Sequence, residues 1–122
     1  MPNLVTGVIA GAVIALVPAV PSDAGTSLRL TITHPDRGGS KAVTLRCGPP
    51  GGDHPQAARA CAELAGSGGK FDHAPDGRMC TAVHAPVVAR AEGRWHGKTV
   101  RFRAEYGNDC AMRARTGVVF AL

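Results

Sequence analysis

The strongest constraint on this chain is its set of four cysteines, Cys47, Cys61, Cys80 and Cys110. An even number of cysteines in a short exported domain is typical of a disulfide framework, and four cysteines allow three pairings, which the spacing alone leaves open. The chain contains no Cys-x2–4-Cys pair of the kind that structural zinc sites use, so the pattern favours two disulfides over a metal site. A domain of this size has a limited core and gains stability from such cross-links.

The first 24 residues read as a secretory signal peptide. Residues 4–20 (LVTGVIAGAVIALVPAV) carry no charge, and residues 22–24 (SDA) have the small-x-small pattern of a cleavage site. Residues 1–3 (MPN) depart from the usual pattern, because they include no Lys or Arg. The alternative is a membrane anchor, for which this apolar stretch, broken by Pro18, is marginal in length. We therefore expect residues 1–24 to be removed, leaving a secreted mature domain over residues 25–122.

The expected mature part is basic. It contains all 14 Lys and Arg residues and, because Asp23 precedes it, eight Asp and Glu residues, so its formal charge is +6 with neutral histidines. The basic residues are scattered along the chain, and no aromatic stacking motif is interleaved with them. A solvated basic surface is the favoured interpretation. We expect no nucleic acid as partner and, once the signal is removed, no membrane.

Hydrophobic periodicity predicts an α+β fold. The pattern favours strands over residues 27–33, 41–47, 85–91, 98–106 and 118–122. A helix opens at residues 53–55 (DHP), where Asp53 can cap it, and ends at the glycines of residues 66–69. Residues 92–94 (EGR) read as a turn, and residues 108–112 (NDCAM) as a short helix or a turn. Links of hairpin length imply an antiparallel sheet with one or two short helices packed on one face.

No recognisable catalytic or cofactor-binding motif occurs in the chain. The Gly-x-Ser-x-Gly nucleophile motif is absent, and residues 66–70 (GSGGK) lack the spacing of a phosphate-binding loop. The five histidines show neither a His-x3-His nor a His-Glu-x2-His pattern, and we interpret each as a surface or turn residue. We therefore expect a protein that is not an enzyme, that holds no cofactor or metal, and that functions by binding.

Seven short stretches carry a resemblance to a known family. They are residues 47–49 (CGP), 54–55 (HP), 60–64 (ACAEL), 79–87 (MCTAVHAPV), 93–98 (GRWHGK), 108–112 (NDCAM) and 118–120 (VVF). In this order, they resemble the subtilisin inhibitor-like family, of the Streptomyces subtilisin inhibitor type, and the similarity covers essentially all of residues 27–122. The resemblance implies the pairs Cys47–Cys61 and Cys80–Cys110, and a five-stranded antiparallel sheet with two short helices packed on it. It also implies a homodimer formed through sheet faces and inhibition of secreted serine proteases of the subtilisin type.

The same resemblance gives a role to the segment that contains Cys80. It implies a reactive loop whose scissile bond is Ala82–Val83, with Ala82 entering the primary specificity pocket of the protease. Asn108, beside Cys110, would brace this loop from behind. The other residues that would contact the protease are Met79, Cys80, Thr81 and His84.

The chemistry of such a loop can be argued from its residues. A disulfide two residues before Ala82 would hold the loop in its bound shape, which reduces the ordering cost of binding. The small apolar side chain of Ala82 suits the shallow or apolar pockets of subtilisin- and elastase-like proteases, and it offers nothing to the buried carboxylate of a trypsin pocket. The alternative function is a secreted, non-inhibitory binding module with a drifted loop, which contacts a surface protein or, through its charge, a polyanion.

Overall fold

One antiparallel sheet of five strands runs through the protein. The computed structural model describes residues 25–122 together with Gly7 and Gly11, so the expected signal peptide lies, apart from these two glycines, outside the described residues. In chain order the elements are β1 (Thr26–His34), β2 (Gly39–Cys47), β3 (Gly51–Gly52), α1 (Ala57–Gly66), β4 (Val87–Trp95), β5 (Lys98–Tyr106) and α2 (Asp109–Thr116). The strand order in the sheet is β3-β2-β1-β4-β5. The predicted α+β class and five-stranded antiparallel sheet are confirmed.

The two faces of the sheet differ in character because successive side chains of a strand point to opposite faces. On one face Leu28 of β1 lies opposite Leu45 of β2, and both are fully buried. Leu64 of α1 and Met112 of α2 complete this core, each with only 1% of its surface exposed. Burial of one such side chain stabilises the fold by about 2 kcal/mol. Among residues 25–122 no helix packs on the other face, which carries exposed side chains such as Arg29 and Arg90.

Helix α1 and the residues just before it are held by contacts that the sequence only partly indicates. The Cys47–Cys61 disulfide joins the end of β2 to α1, with the two Cα atoms 5.7 Å apart. His54 is buried rather than on the surface, which corrects our interpretation of it. Its Nδ1 accepts from the backbone N–H of Gln56, so its Nε2 donates to the carbonyl oxygen of Val119 at 2.9 Å.

No helix in residues 25–122 is long and apolar enough to span a bilayer.

The prediction of a final strand over residues 118–122 is wrong. This segment forms turns, and its Phe120 is fully buried with its ring 6.0 Å from that of Phe71 and 5.9 Å from that of Phe102. A short apolar run fills a core equally well as a strand or as an irregular segment, and periodicity does not separate the two. The fifth strand is instead β3, a pair of glycines whose partners in β2 are Leu45 and Arg46.

Two further local predictions are wrong for steric and hydrogen-bonding reasons. Residues 92–94 belong to β4 and are not a turn. Gly93 marks a close approach of two strands, because a Cβ atom there would collide with the carbonyl oxygen of Ser27 in β1. Asp53 does not cap α1. Its carboxylate accepts from the backbone N–H of Thr44 at 2.6 Å, and the N-cap position is held by Gln56 without a side-chain bond.

Candidate functional site

A long segment without helix or strand, residues 67–86, connects α1 to β4. Residues 79–84 are all exposed on the protein surface. Met79 and Val83 have 97% and 63% of their surface exposed, although both are large and apolar. Large apolar side chains that stay exposed in one loop are typical of a contact surface, because they are buried only when a partner binds. All of the residues predicted to contact a protease therefore lie on one accessible stretch.

The two ends of this stretch are tied to the body of the protein. Before it, the backbone N–H of Asp76 donates to the carbonyl oxygen of Ala114 in α2 at 2.9 Å. After it, the N–H of Ala85 donates to the carbonyl oxygen of Gly107 at 2.8 Å, and the chain then passes through the buried Pro86 into β4. The loop is therefore short between its anchors, and its exposed residues project from a fixed base.

A disulfide anchors the exposed stretch from within. Cys80 is bonded to Cys110 in the first turn of α2, and their Cα atoms lie 5.7 Å apart. The pairs Cys47–Cys61 and Cys80–Cys110 that the resemblance implies are thus both present. Cys80 stands two residues before Ala82, so this link restricts the chain close to the predicted scissile bond.

Asn108 connects the same loop to the start of α2. Its Oδ1 accepts from the backbone N–H of Ala111 at 2.8 Å, which makes it the N-cap of the helix. This bond determines which way round the amide lies, so the Nδ2 group faces the loop. Nδ2 donates to the carbonyl oxygen of Thr81 at 3.1 Å and to that of Val83 at 2.9 Å. Both amide hydrogens are therefore used on the two carbonyls that flank Ala82.

A polar network beneath the loop joins the elements that hold it. The carboxylate of Asp72 accepts from the hydroxyl of Tyr106 at 2.6 Å and from the guanidinium of Arg115 at 2.8 Å. The hydrogen bonds from Arg115 hold the pKa of Asp72 below its usual value of 3.8. Burial, together with the bond to Asp72, raises the pKa of Tyr106. The end of β5 and the end of α2 are thereby fixed to the segment that leads into the loop.

This network was missed by sequence reasoning. Tyr106 lies 34 residues from Asp72 and Arg115 lies 43 residues from it, and neither stands in a motif. Asp76 and Arg78, two residues apart in sequence, form an ion pair of 2.7 Å at the loop entrance. Within residues 25–122 no three His, Cys, Asp or Glu side chains are placed to hold a metal ion.

Comparison with known proteins gives this loop its context. Residues 24–108 match the family model described as subtilisin inhibitor-like. A subtilisin inhibitor-like protein of Streptomyces fradiae is 42% identical over 84 residues, which cover 66% of this chain and 78% of that protein. A trypsin inhibitor of Streptomyces longisporus is 37% identical over 126 residues, which cover 96% of this chain and 88% of that protein. Both relatives are named as inhibitors rather than as enzymes.

A solved structure agrees with the fold as well as with the sequence. Sermetstatin of Streptomyces caespitosus, in its complex with subtilisin of Bacillus licheniformis, superposes with a TM-score of 0.63 at 27% identity. The superposition covers 79% of this chain and 97% of sermetstatin. With a family model that matches most of its length and relatives of this similarity, the chain belongs to the subtilisin inhibitor-like family.

Proposed function

We propose that this protein inhibits serine proteases of the subtilisin type by presenting residues 79–84 to the active-site cleft as a substrate would, with Ala82–Val83 at the scissile position. The observation that carries this proposal is the pair of hydrogen bonds from Asn108 to the carbonyls of Thr81 and Val83. They hold the main chain on both sides of the bond that the family resemblance identifies. The protein itself is not an enzyme in this mechanism, and it needs no cofactor or metal.

The geometry of the loop suits a cleft that binds an extended strand. In an extended chain successive groups alternate in direction, so if the carbonyls of Thr81 and Val83 face Asn108, that of Ala82 faces away from the body. A protease would find this carbonyl and the neighbouring N–H groups open for its own hydrogen bonds. Because the loop is already held by Cys80 and Asn108, little conformational freedom is lost on binding.

The same anchors explain why cleavage would be unproductive for the enzyme. If the Ala82–Val83 bond were cut, the disulfide would hold the segment before it and the Ala85–Gly107 hydrogen bond the segment after it. The new amine of Val83 would remain beside the acyl group on the protease serine. Attack by this amine reforms the peptide bond and competes with water, so the complex persists.

Specificity would depend mainly on Ala82. Its methyl group fits a shallow or apolar pocket, which favours subtilisin- and elastase-like enzymes. The side chains of Met79 and Val83 would contribute most of the apolar contact on either side, because both are large and exposed. The remaining contacts would come from Thr81, His84 and the main chain at Cys80.

We also propose, from the resemblance and from residues 1–24, that the protein is secreted and forms a homodimer. N-terminal sequencing of the exported protein should begin at Gly25, and an uncleaved chain would contradict the signal peptide. Light scattering on residues 25–122 should give twice the monomer mass. The measurement should span a range of salt concentrations, because the mature chain is basic.

The direct test of the inhibitory function is a titration of subtilisin with oxidised residues 25–122. Stoichiometric loss of protease activity is expected, and mass spectrometry of the complex should locate any slow cleavage at Ala82–Val83. An elastase and trypsin serve as comparison enzymes, with weaker inhibition expected for trypsin. Rapid digestion of the loop, or full protease activity at a molar excess of this protein, would refute the proposal.

A further inference from the structure

The last residue of β1 contacts the helix that holds the exposed loop. His34 lies on the same face of the sheet as Leu28 and Leu30, because side chains two residues apart in a strand point the same way. Its side chain is 17% exposed, and its Nε2 lies 2.8 Å from a carboxylate oxygen of Asp109. An ionised carboxylate only accepts hydrogen bonds, so Nε2 carries a proton and donates it to this contact. The end of the sheet is thus joined to the first residue of α2 across 75 positions of sequence.

Asp109 stands between the two residues that anchor the loop. Asn108 before it donates to two carbonyls of the loop, and Cys110 after it forms the loop disulfide. Both of these side chains reach to the loop, whereas the side chain of Asp109 reaches the sheet through His34. Residues 108–111 are only half-buried, so apolar packing does little to fix this turn of the helix. A polar contact with the sheet therefore has a large influence on where the turn lies.

The hairpin turn after β1 holds His34 in place. The carbonyl oxygen of His34 accepts from the backbone N–H of Gly38 at 2.8 Å and from that of Arg37 at 3.1 Å. Gly38 has a φ of +70°, a left-handed conformation that glycine adopts without strain. Arg37 also places its Nη2 3.6 Å from the second carboxylate oxygen of Asp109. One tight turn thus directs two donors to a single carboxylate.

The bonds from Asn108 to the loop depend on small distances. Its Nδ2 lies 2.9 Å from the carbonyl oxygen of Val83 and 3.1 Å from that of Thr81. A contact of this kind at about 3.6 Å is no longer a hydrogen bond. A shift of about 0.5 Å in the first turn of α2 would therefore release the main chain beside the scissile bond, and functional geometry is sensitive on this scale.

We propose that His34 is a positioning residue for residues 79–84: through Asp109 it fixes the first turn of α2, which carries both loop anchors. The inference rests on the proposed function of this loop. His34 acts through Asp109 and needs no contact with the protease. Without it, Asn108 moves away from the loop carbonyls, so the scissile bond is cut faster and inhibition weakens. Arg37 contributes less, because its longer contact lies open to solvent.

The competing explanation is that the His34 contact only adds to the overall stability of the fold. Thr26, at the other end of β1, separates the two explanations. Its Oγ1 accepts from the backbone N–H of His96 at 3.0 Å, and its side chain is buried. Along a strand the eight residues from Thr26 to His34 span about 26 Å. Thr26→Val therefore removes one hydrogen bond from the same strand, far from the loop.

The first test needs no protease. It measures amide hydrogen exchange by NMR in oxidised residues 25–122, at the backbone N–H of Ala111 that is bonded to Asn108 Oδ1. His34→Leu should speed this exchange about tenfold, the effect of losing one hydrogen bond. His34→Gln should restore the original rate, because the Gln amide can donate from about the position of Nε2. Thr26→Val should leave the rate unchanged.

The second test measures inhibition of subtilisin by the same variants. His34→Leu should raise both the inhibition constant and the rate of cleavage at Ala82–Val83 about tenfold. His34→Gln should restore both values. Thr26→Val should leave both unchanged, although it lowers the unfolding temperature by a few degrees, as His34→Leu does. Arg37→Gln should have a smaller effect than His34→Leu.

The outcomes distinguish this inference from the proposed function. Unchanged exchange at Ala111 in His34→Leu would overturn the inference, and so would equal effects of His34→Leu and Thr26→Val. Faster exchange in His34→Leu with unchanged cleavage and inhibition would also overturn it, because the contact would then not act on the scissile bond. If the unmodified protein fails to inhibit subtilisin, the proposed function is refuted, and the exchange data still decide whether His34 positions the loop anchors.

Discussion

The side-chain amide of Asn108 donates to the carbonyl oxygen of Val83 at 2.9 Å, across 25 residues of sequence. The same nitrogen donates to the carbonyl of Thr81, while the amide oxygen caps α2. One short side chain thus couples the start of a helix to the main chain of an exposed loop. A loop held in this way keeps its shape without a hydrophobic core of its own.

The role of Asn108 can be separated from its capping role by comparing two substitutions. Asn108→Ala removes the cap and both loop bonds, whereas Asn108→Ser retains a good N-cap residue and loses the loop bonds. Two hydrogen bonds contribute about 2 kcal/mol, so both variants should raise the inhibition constant for subtilisin roughly 30-fold. Asn108→Ala should also lose the cap, so its unfolding free energy should be about 1 kcal/mol lower than that of Asn108→Ser. Unchanged inhibition by Asn108→Ser would show that the loop bonds do not matter.

Changing Ala82 to a basic residue should redirect the protein toward trypsin. Ala82→Lys supplies a cation for the carboxylate in the trypsin specificity pocket, and a bond of this kind contributes enough to improve trypsin inhibition about 100-fold. Val83→Lys adds the same charge one residue later and serves as the control. Enzyme titrations of the two variants decide the assignment. If Val83→Lys is the variant that gains trypsin inhibition, the scissile bond has been placed one residue too early.

Removal of the loop disulfide should convert an inhibitor into a substrate. In Cys80→Ser/Cys110→Ser the chain before Ala82 is no longer held covalently, so the acyl group and the new amine separate more readily after cleavage. Chromatography of a subtilisin digest should show rapid cleavage near residue 82. The chain-entropy model also gives a loss of about 4 kcal/mol in the unfolding free energy for the loop that this disulfide closes.

The other disulfide provides the control for that experiment. Cys47→Ser/Cys61→Ser should lower the unfolding free energy by about 3 kcal/mol, because the disulfide that it removes closes a shorter loop. The Cys47–Cys61 disulfide links β2 to α1, away from residues 79–84. The fraction that remains folded should therefore still inhibit stoichiometrically, and rapid cleavage in this variant would mean that global stability, rather than the local anchor, protects the loop.

Asp72 should make the stability of the protein depend on pH. Its pKa in the folded state is lowered by Arg115, so its contribution is fully present above the usual value of 3.8 and is lost as the pH falls through the lowered value. Asp72→Asn should reduce the unfolding temperature at neutral pH, and the difference from the unmodified protein should disappear in acid. Thermal unfolding between about pH 2 and 7 measures this.

Asp76→Asn is the matched comparison for Asp72. The pKa of Asp76 is also lowered, by its hydrogen bonds with Arg78, but the pair lies open to solvent at the loop entrance. Exposed ion pairs contribute little to stability, so this variant should change the unfolding temperature less at every pH. Equal effects of the two substitutions would contradict the structural role assigned to the Asp72 network.

Much of the fold follows from local patterns. Alternation along β1, β2 and β5 predicts strands whose bounds agree with the structure within two residues, because one face of each strand is buried. Trp95 packs against the core, and its ring stacks on that of His96 with the two centroids 4.3 Å apart. These elements were predictable since their periodicity reflects burial directly.

Other features required the folded chain. β3 consists of two glycines, which carry no side-chain pattern, and only its pairing with β2 makes it a strand. Gly93 signals a turn by composition, yet in the structure it allows a close backbone contact within β4. The Asp72 network joins residues that no local motif relates. All three features depend on which segments, remote in sequence, lie next to each other in the fold. A single sequence does not directly show which segments these are.

The arrangement of Cys80 and Asn108 has a consequence for how such a protein can change over generations. The frame of the loop lies in one covalent link and in two main-chain carbonyls, and both are indifferent to the side chains at Met79, Ala82, Val83 and His84. Substitutions at those four positions should therefore leave the folding of the domain unchanged. A lineage that encounters a new enzyme can therefore revise what it recognises one codon at a time, with every intermediate still able to fold.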